Sequence, residues 1–174
     1  MIKISLRGGT KTQRDITERA SRFIIKKLLP RKRVLDLDIN IRNLLIEDAA
    51  GYCLHVQKNE FEIELHNRGN LYDYVSYLAH ELVHLKQYCR RHLVTRQRRE
   101  FWMGEEMTGL AYSKQPWEKE AWSLQYHLAK DFILEDLDIT IKKSKELSPR
   151  TMKQMDWDLE HKVLTRICEV KDGA

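Results

Sequence analysis

Nowhere in this 174-residue chain do apolar residues run on for the roughly 18 positions that a membrane-spanning helix needs. The opening stretch, MIKISLRGGTKTQRD, has no apolar core followed by a small-residue cleavage site, so the expectation is a soluble, cytoplasmic protein with no membrane partner. Cysteine is scarce. Cys53, Cys89 and Cys168 are odd in number, widely spaced and free of any C-x-x-C, which argues against a disulfide framework and against a cysteine-rich zinc site. Internal repeats and low-complexity linkers are also missing, so residues 1–174 read as one domain. Nor does charge of one sign dominate: 31 basic against 26 acidic residues give +5, a balance that permits nucleic-acid contact without requiring it.

What is present is a clear succession of periodic segments. IKISL (2–6) reads as a short strand, and GGT breaks the chain before a helix over about 12–29. There Ile16, Ala20, Phe23, Ile24 and Leu28 recur at helical spacing and Pro30 ends the pattern. VLDLDINI (34–41) alternates as a half-buried strand does. GYCLHVQ and FEIELH, joined by the turn KNE, form a hairpin pattern. Asn70 is placed to cap a helix that runs to about residue 90. A polar, arginine-rich run, RRHLVTRQRRE, follows, and residues 101–115 give no steady period and read as mostly loop. Pro116 opens a second long helical pattern, and LSPRTMKQMDWDLEHKVLTRICEV reads as a helical C-terminal tail. The sum is an α+β domain with an N-terminal helix and a small, mostly antiparallel sheet of three or four strands.

One stretch carries chemistry. In YVSYLAHELVHLKQY (74–88), Val75, Leu78, Leu82 and Leu85 make an apolar stripe, while Tyr77, His80, Glu81, His84 and Tyr88 gather on the neighbouring face. His80 and His84 lie one turn apart, so both imidazoles reach a single metal ion. Glu81 is rotated by about 100° from His80, off the metal yet near enough to take a proton from a water activated there. These are the mechanics of H-E-x-x-H. Two histidines at this spacing also arise by chance in ordinary helices, so the motif needs a third ligand. The metzincin pattern fails, because its glycine and histidine positions hold Gln87 and Arg90. His92 and His127 are distal candidates that read more readily as surface or packed histidines, and PWEKEAW supplies glutamates on a separate helix.

LAHELVHLKQY followed by PWEKEAW resembles the small single-domain gluzincin-type zinc metallopeptidases, especially the short ones encoded in phage and bacterial genomes. The resemblance covers roughly residues 50–130 and implies a zincin-like fold. It implies Zn²⁺ held by His80, His84 and Glu118, the last from E-x-x-A, with Glu120 as the alternative ligand. It also implies Glu81 as general base and Tyr112 as the donor to the oxyanion, with His127 as another candidate for that donor. The substrate would be a protein or peptide lying extended along the hairpin's free edge. The sequence departs from the family at Trp122, where an acidic or amide residue often orients a ligand histidine.

Three other readings stay open. Arg90, Arg91, Arg96, Arg98 and Arg99 read first as a solvated face; read as a phosphate-contacting patch, they make the chain a nucleic-acid-associated protease similar to SprT-like enzymes, whose third ligand is a histidine. A repressor-cleaving peptidase of the same type usually carries a separate DNA-binding module, and no clear helix-turn-helix is present. A non-catalytic zinc-binding interaction protein of the same fold would use Trp102, Trp117, Trp122 and Trp157 as a contact surface.

Overall fold

Strict alternation makes the sheet. In the strand Leu35–Arg42, Leu35, Leu37, Ile39 and Ile41 are buried while the aspartates and Asn40 between them are not, the signature of a strand with one face on a core. The computed structural model describes residues 1–47 and 49–144. Their order is β1 (Ile2–Gly8), α1 (Lys11–Leu28), β2 (Leu35–Arg42), β3 (Gly51–Gln57), β4 (Glu60–His66), α2 (Leu71–Cys89), β5 (Leu93–Arg96), β6 (Arg99–Trp102), β7 (Glu105–Glu106), a 3-10 turn (Tyr112–Lys114) and α3 (Pro116–Ser144). The α+β class stands. The helical tail expected beyond residue 146 lies outside the described residues.

The expected mostly antiparallel sheet is corrected to a mixed one. Its order is β1-β2-β4-β3, with β1 parallel to β2, β2 parallel to β4, and only the edge strand β3 antiparallel, against β4. The connections explain this. α1 carries the chain back over the sheet between β1 and β2, as a parallel pair requires, and the β3–β4 hairpin docks by its second strand, leaving β3 on the edge.

The loop expected over 101–115 is corrected in part: its first residues complete a second, three-stranded antiparallel sheet, β5-β6-β7, that begins in the arginine-rich run before it. Its turns explain why the sequence hid it. Gln97 and Arg98 both take positive φ (49° and 64°), as do Met103 and Gly104 (50° and 95°), so both are tight hairpin turns. Three of those four residues are not the Asn, Asp or Gly that normally announce such a turn. Each left-handed non-glycine costs roughly 1–2 kcal/mol, offset here by burying Leu93 and by packing Trp102 against Trp117, ring centres 6.3 Å apart.

The helices begin where the sequence places their caps. Thr10 and Gln13 form a reciprocal capping box at α1, and the Asn70 side chain accepts the Asp73 N–H at 2.9 Å at α2. α2 is the central element, packed against α3, α1 and strands β3 and β4, while α1 also meets α3 through Phe23 and Phe132. Leu78, Leu82 and Leu85 are fully buried, each contributing about 1.5–3 kcal/mol, and they hold the polar side of the same helix in register with α3. No helix among the described residues is long and apolar enough to cross a membrane.

Candidate metal centre

α2 and α3 cross so that His80, His84 and Glu118, all buried, converge. His80 Nε2 and His84 Nε2 are 3.1 Å apart, Glu118 Oε2 is 3.1 Å from the first and Glu118 Oε1 is 3.3 Å from the second. Tetrahedral zinc, with bonds of about 2.0–2.1 Å, sets its ligand atoms roughly 3.3 Å apart, so the triangle has the dimensions of a metal site.

The protonation pattern makes a stronger argument than the dimensions. The Gln87 Nε2 donates to the Trp117 carbonyl and to Glu120 Oε2, both at 2.9 Å. Its Oε1 is thereby turned to His84 Nδ1, 2.9 Å away, and accepts the proton there. Gln125 Oε1 sits 2.7 Å from His80 Nδ1 in the same role. Neutral imidazoles protonated at Nδ1 present lone pairs at Nε2. Two lone pairs and a carboxylate then face one another at hydrogen-bond distance with nothing to share between all three. A proton relieves one edge of this triangle; a cation relieves every edge. The donor set fits Zn²⁺ and, more widely, a borderline divalent metal.

The electrostatics agree. Burial opposes ionisation of Glu118, but the adjoining imidazoles outweigh it and hold the carboxyl well below its usual range. Glu81 lies beside the triangle, and burial above all pushes its carboxyl up to about 8, with His80 opposing and Glu118 adding to the rise. Gly51 at the start of β3 makes room for it: a Cβ there would stand 2.8 Å from Glu81 Oε1 and 3.0 Å from the Glu64 carbonyl.

The other sequence candidates fall into place around this centre. Glu120 is turned away, paired with Lys86 at 2.5 Å and with Gln87. His127 is exposed, and His92 packs edge-on against Trp102, so neither joins the triangle. Tyr112 lines the same cleft with its body exposed; burial of its hydroxyl and a hydrogen bond to Glu118 raise its pKa. Trp122 stacks edge-on against His80, centres 5.4 Å apart, and also hydrogen-bonds Tyr112. The orienting amide expected at 122 comes instead from Gln125, one turn later on the same buried stripe as Glu118 and Ala121. Neither Gln87 nor Gln125 was singled out from the sequence, although Gln87 lies one turn after His84 and Gln125 two turns after Glu118, spacings that put each amide on its ligand's face.

The triangle opens into a cleft of about 530 Å³, lined among others by Ala49–Leu54, Leu93, Glu100, Tyr112 and Trp117. Compared with protein families, curated proteins and solved structures, the chain matches none.

Proposed function

We propose that this chain is a metal-dependent hydrolase with a zincin-like arrangement of helices and sheet. More narrowly, we read it as a zinc endopeptidase of the compact gluzincin type. The observation that carries the reading is the lone-pair triangle of His80, His84 and Glu118 with a buried, proton-affine Glu81 beside it, all at the floor of one cleft.

His80, His84 and Glu118 would hold the ion. Bound there, Zn²⁺ supplies Lewis acidity, acidifying water and polarising a carbonyl. Glu81, buried beside the triangle, takes the proton of the attacking water and returns it to the departing amine. Gln125 and Gln87 keep the imidazoles in the tautomer that offers Nε2 to the ion. The Tyr112 hydroxyl, beside Glu118, is the donor for the oxyanion. β3 is an edge strand whose first residues line the cleft, so an extended peptide adds to the sheet there through main-chain hydrogen bonds.

Two histidines and a carboxylate also suit iron(II), but a buried acid beside the ligands serves hydrolysis. The nucleic-acid reading gains little from the arginine run. Arg90 donates to the Leu28 carbonyl, Arg99 pairs with Glu106, and Arg96 and Arg99 occupy the β5–β6 face opposite to Leu93 and Trp102.

The test is metal analysis of the purified chain beside Glu118→Ala and Glu120→Ala, with cleavage of an unstructured protein such as casein by the zinc-loaded chain and by Glu81→Gln. We expect one zinc per chain, lost with Glu118→Ala and kept with Glu120→Ala, and cleavage abolished in Glu81→Gln with zinc retained. Full occupancy in Glu118→Ala, or unchanged cleavage in Glu81→Gln, overturns the assignment.

A further inference from the structure

The cleft carries one carboxylate that neither the triangle nor proton transfer uses. Three acidic residues line it: Glu118 belongs to the triangle, Glu81 lies beside it, and Glu100 comes from β6. Glu100 stands directly opposite Thr95 in the β5–β6 register, and the Tyr88 hydroxyl of α2 hydrogen-bonds Thr95, so this face of the hairpin is turned toward α2 and the cleft. The position is firmly held. The Glu100 N–H donates to Thr108 Oγ1 at 2.9 Å, and its carbonyl accepts from the Met107 N–H at 2.8 Å.

No described lysine or arginine forms an ion pair with the Glu100 carboxylate. Its neighbour Arg99 projects from the opposite face of the hairpin and pairs with Glu106. Among the described residues no lysine or arginine lines the cleft, so none of these is placed to neutralise the group there. The surroundings are aromatic: Tyr88 reaches Thr95 opposite Glu100, and Trp102, on the same hairpin face, packs against Trp117. A carboxylate without a counter-ion, set among ring faces and partly screened from water, attracts a cation by charge and by the rings' quadrupoles together. It repels an acidic group by the same amount.

We propose that Glu100 makes the cleft select peptides that carry a lysine or arginine side chain next to the bond to be cut. The inference rests on the peptidase reading and names the substrate class for that site. The side-chain amine or guanidinium meets the Glu100 carboxylate while its aliphatic stem lies along Tyr88 and Trp117.

The test uses the full chain carrying Glu81→Gln, loaded with zinc, and three fluorescently labelled peptides: an N-acetylated peptide with a central lysine, the same peptide with norleucine in its place, and the norleucine peptide with a free amino terminus. Binding is read by anisotropy. The lysine peptide is expected to bind about tenfold tighter than its acetylated norleucine counterpart. Glu100→Gln brings that ratio to about one, and Glu100→Lys takes it below one. Equal binding of the lysine and norleucine peptides with Glu100 in place overturns the proposal, as does a ratio that survives Glu100→Gln or no binding of any of the three. Preference for the free amino terminus alone overturns it in favour of terminal-amine recognition. Cleavage by the zinc-loaded chain with Glu81 intact separates the two levels. Cleavage without preference for lysine sinks the selection and leaves the peptidase reading; a Glu100-dependent binding preference with no cleavage of either peptide sinks the peptidase reading and leaves Glu100 as the cation-recognising group.

Discussion

Replacing Gln87 with methionine keeps the length of a fully buried side chain and removes every hydrogen bond it makes. His84 Nδ1–H is then left without an acceptor inside the protein, at a cost of about 1–3 kcal/mol. The Trp117 carbonyl and Glu120 each lose a donor, worth about 0.5–1.5 kcal/mol apiece. A net loss of roughly 3 kcal/mol lowers the melting temperature of a chain this size by roughly 6–12 °C. The second effect falls on the metal. With no acceptor at Nδ1 the imidazole is free to carry its proton on Nε2, where it blocks the ion, and zinc affinity drops by about 10–100-fold. Competition against a chromophoric chelator reads the affinity, and thermal melting of the metal-free chain reads the stability. Gln87→Glu separates the two effects: its carboxylate still accepts from His84 but no longer donates to Trp117 and crowds Glu120. That variant keeps affinity close to the parent while losing stability. If Gln87→Met binds zinc within about twofold of the parent, or if both variants lose affinity in step with stability, the tautomer argument is wrong.

Two further outcomes follow from Glu81 and its neighbour. In the metal-free chain the folded state keeps a proton on Glu81 up to about pH 8, whereas an ordinary glutamate gives it up near 4.5. This group's contribution to stability is therefore complete below the lower value and is lost as pH rises through the upper one, by roughly 1.4 kcal/mol per pH unit at most. Denaturant titrations between pH 5 and 8 should show that decline and its disappearance in Glu81→Gln; parallel slopes in the two chains would refute it. Gly51→Ala puts a methyl group within 2.8 Å of Glu81 Oε1 and leaves the ligand residues untouched. Zinc content should hold while peptide turnover falls about 10–100-fold, and undiminished turnover would remove Gly51 as the residue that makes room for the base.

The sequence exposed much of this architecture because its strongest signals are local. Asn70, the Leu78–Leu82–Leu85 stripe and Pro116 fix α2 and the start of α3 within a residue, and H-E-x-x-H is legible once a helix is granted. Strand direction was less accessible. The alternation in Leu35–Arg42 says which face is buried but not which neighbour the strand pairs with, and the choice of β4 over β3 as that neighbour is made by tertiary packing. The β5–β6 hairpin escaped notice because Gln97 and Arg98 turn the chain without a glycine or asparagine between them. At the site, the choice of Glu118 over Glu120 was open in the sequence because both lie on one turn of α3; Lys86 settles where Glu120 goes by holding it in an ion pair. Trp122 looked like a missing partner because the expected position in the motif stood in for the required geometry, and a glutamine one turn later meets the same imidazole.

The contacts between α2 and α3 have a bearing on the chain before it meets any substrate. Glu118 and Gln125 reach His80, and Glu120 reaches Lys86 and Gln87, so the seating of the last described helix is joined to the candidate metal centre. If the triangle takes up a cation as proposed, uptake and docking of that helix form a single equilibrium. At a free-ion concentration about a hundred times the dissociation constant, the folded form gains roughly 2.7 kcal/mol. On the proposed function, the supply of metal would then set how much folded chain there is, as well as how much of it is competent.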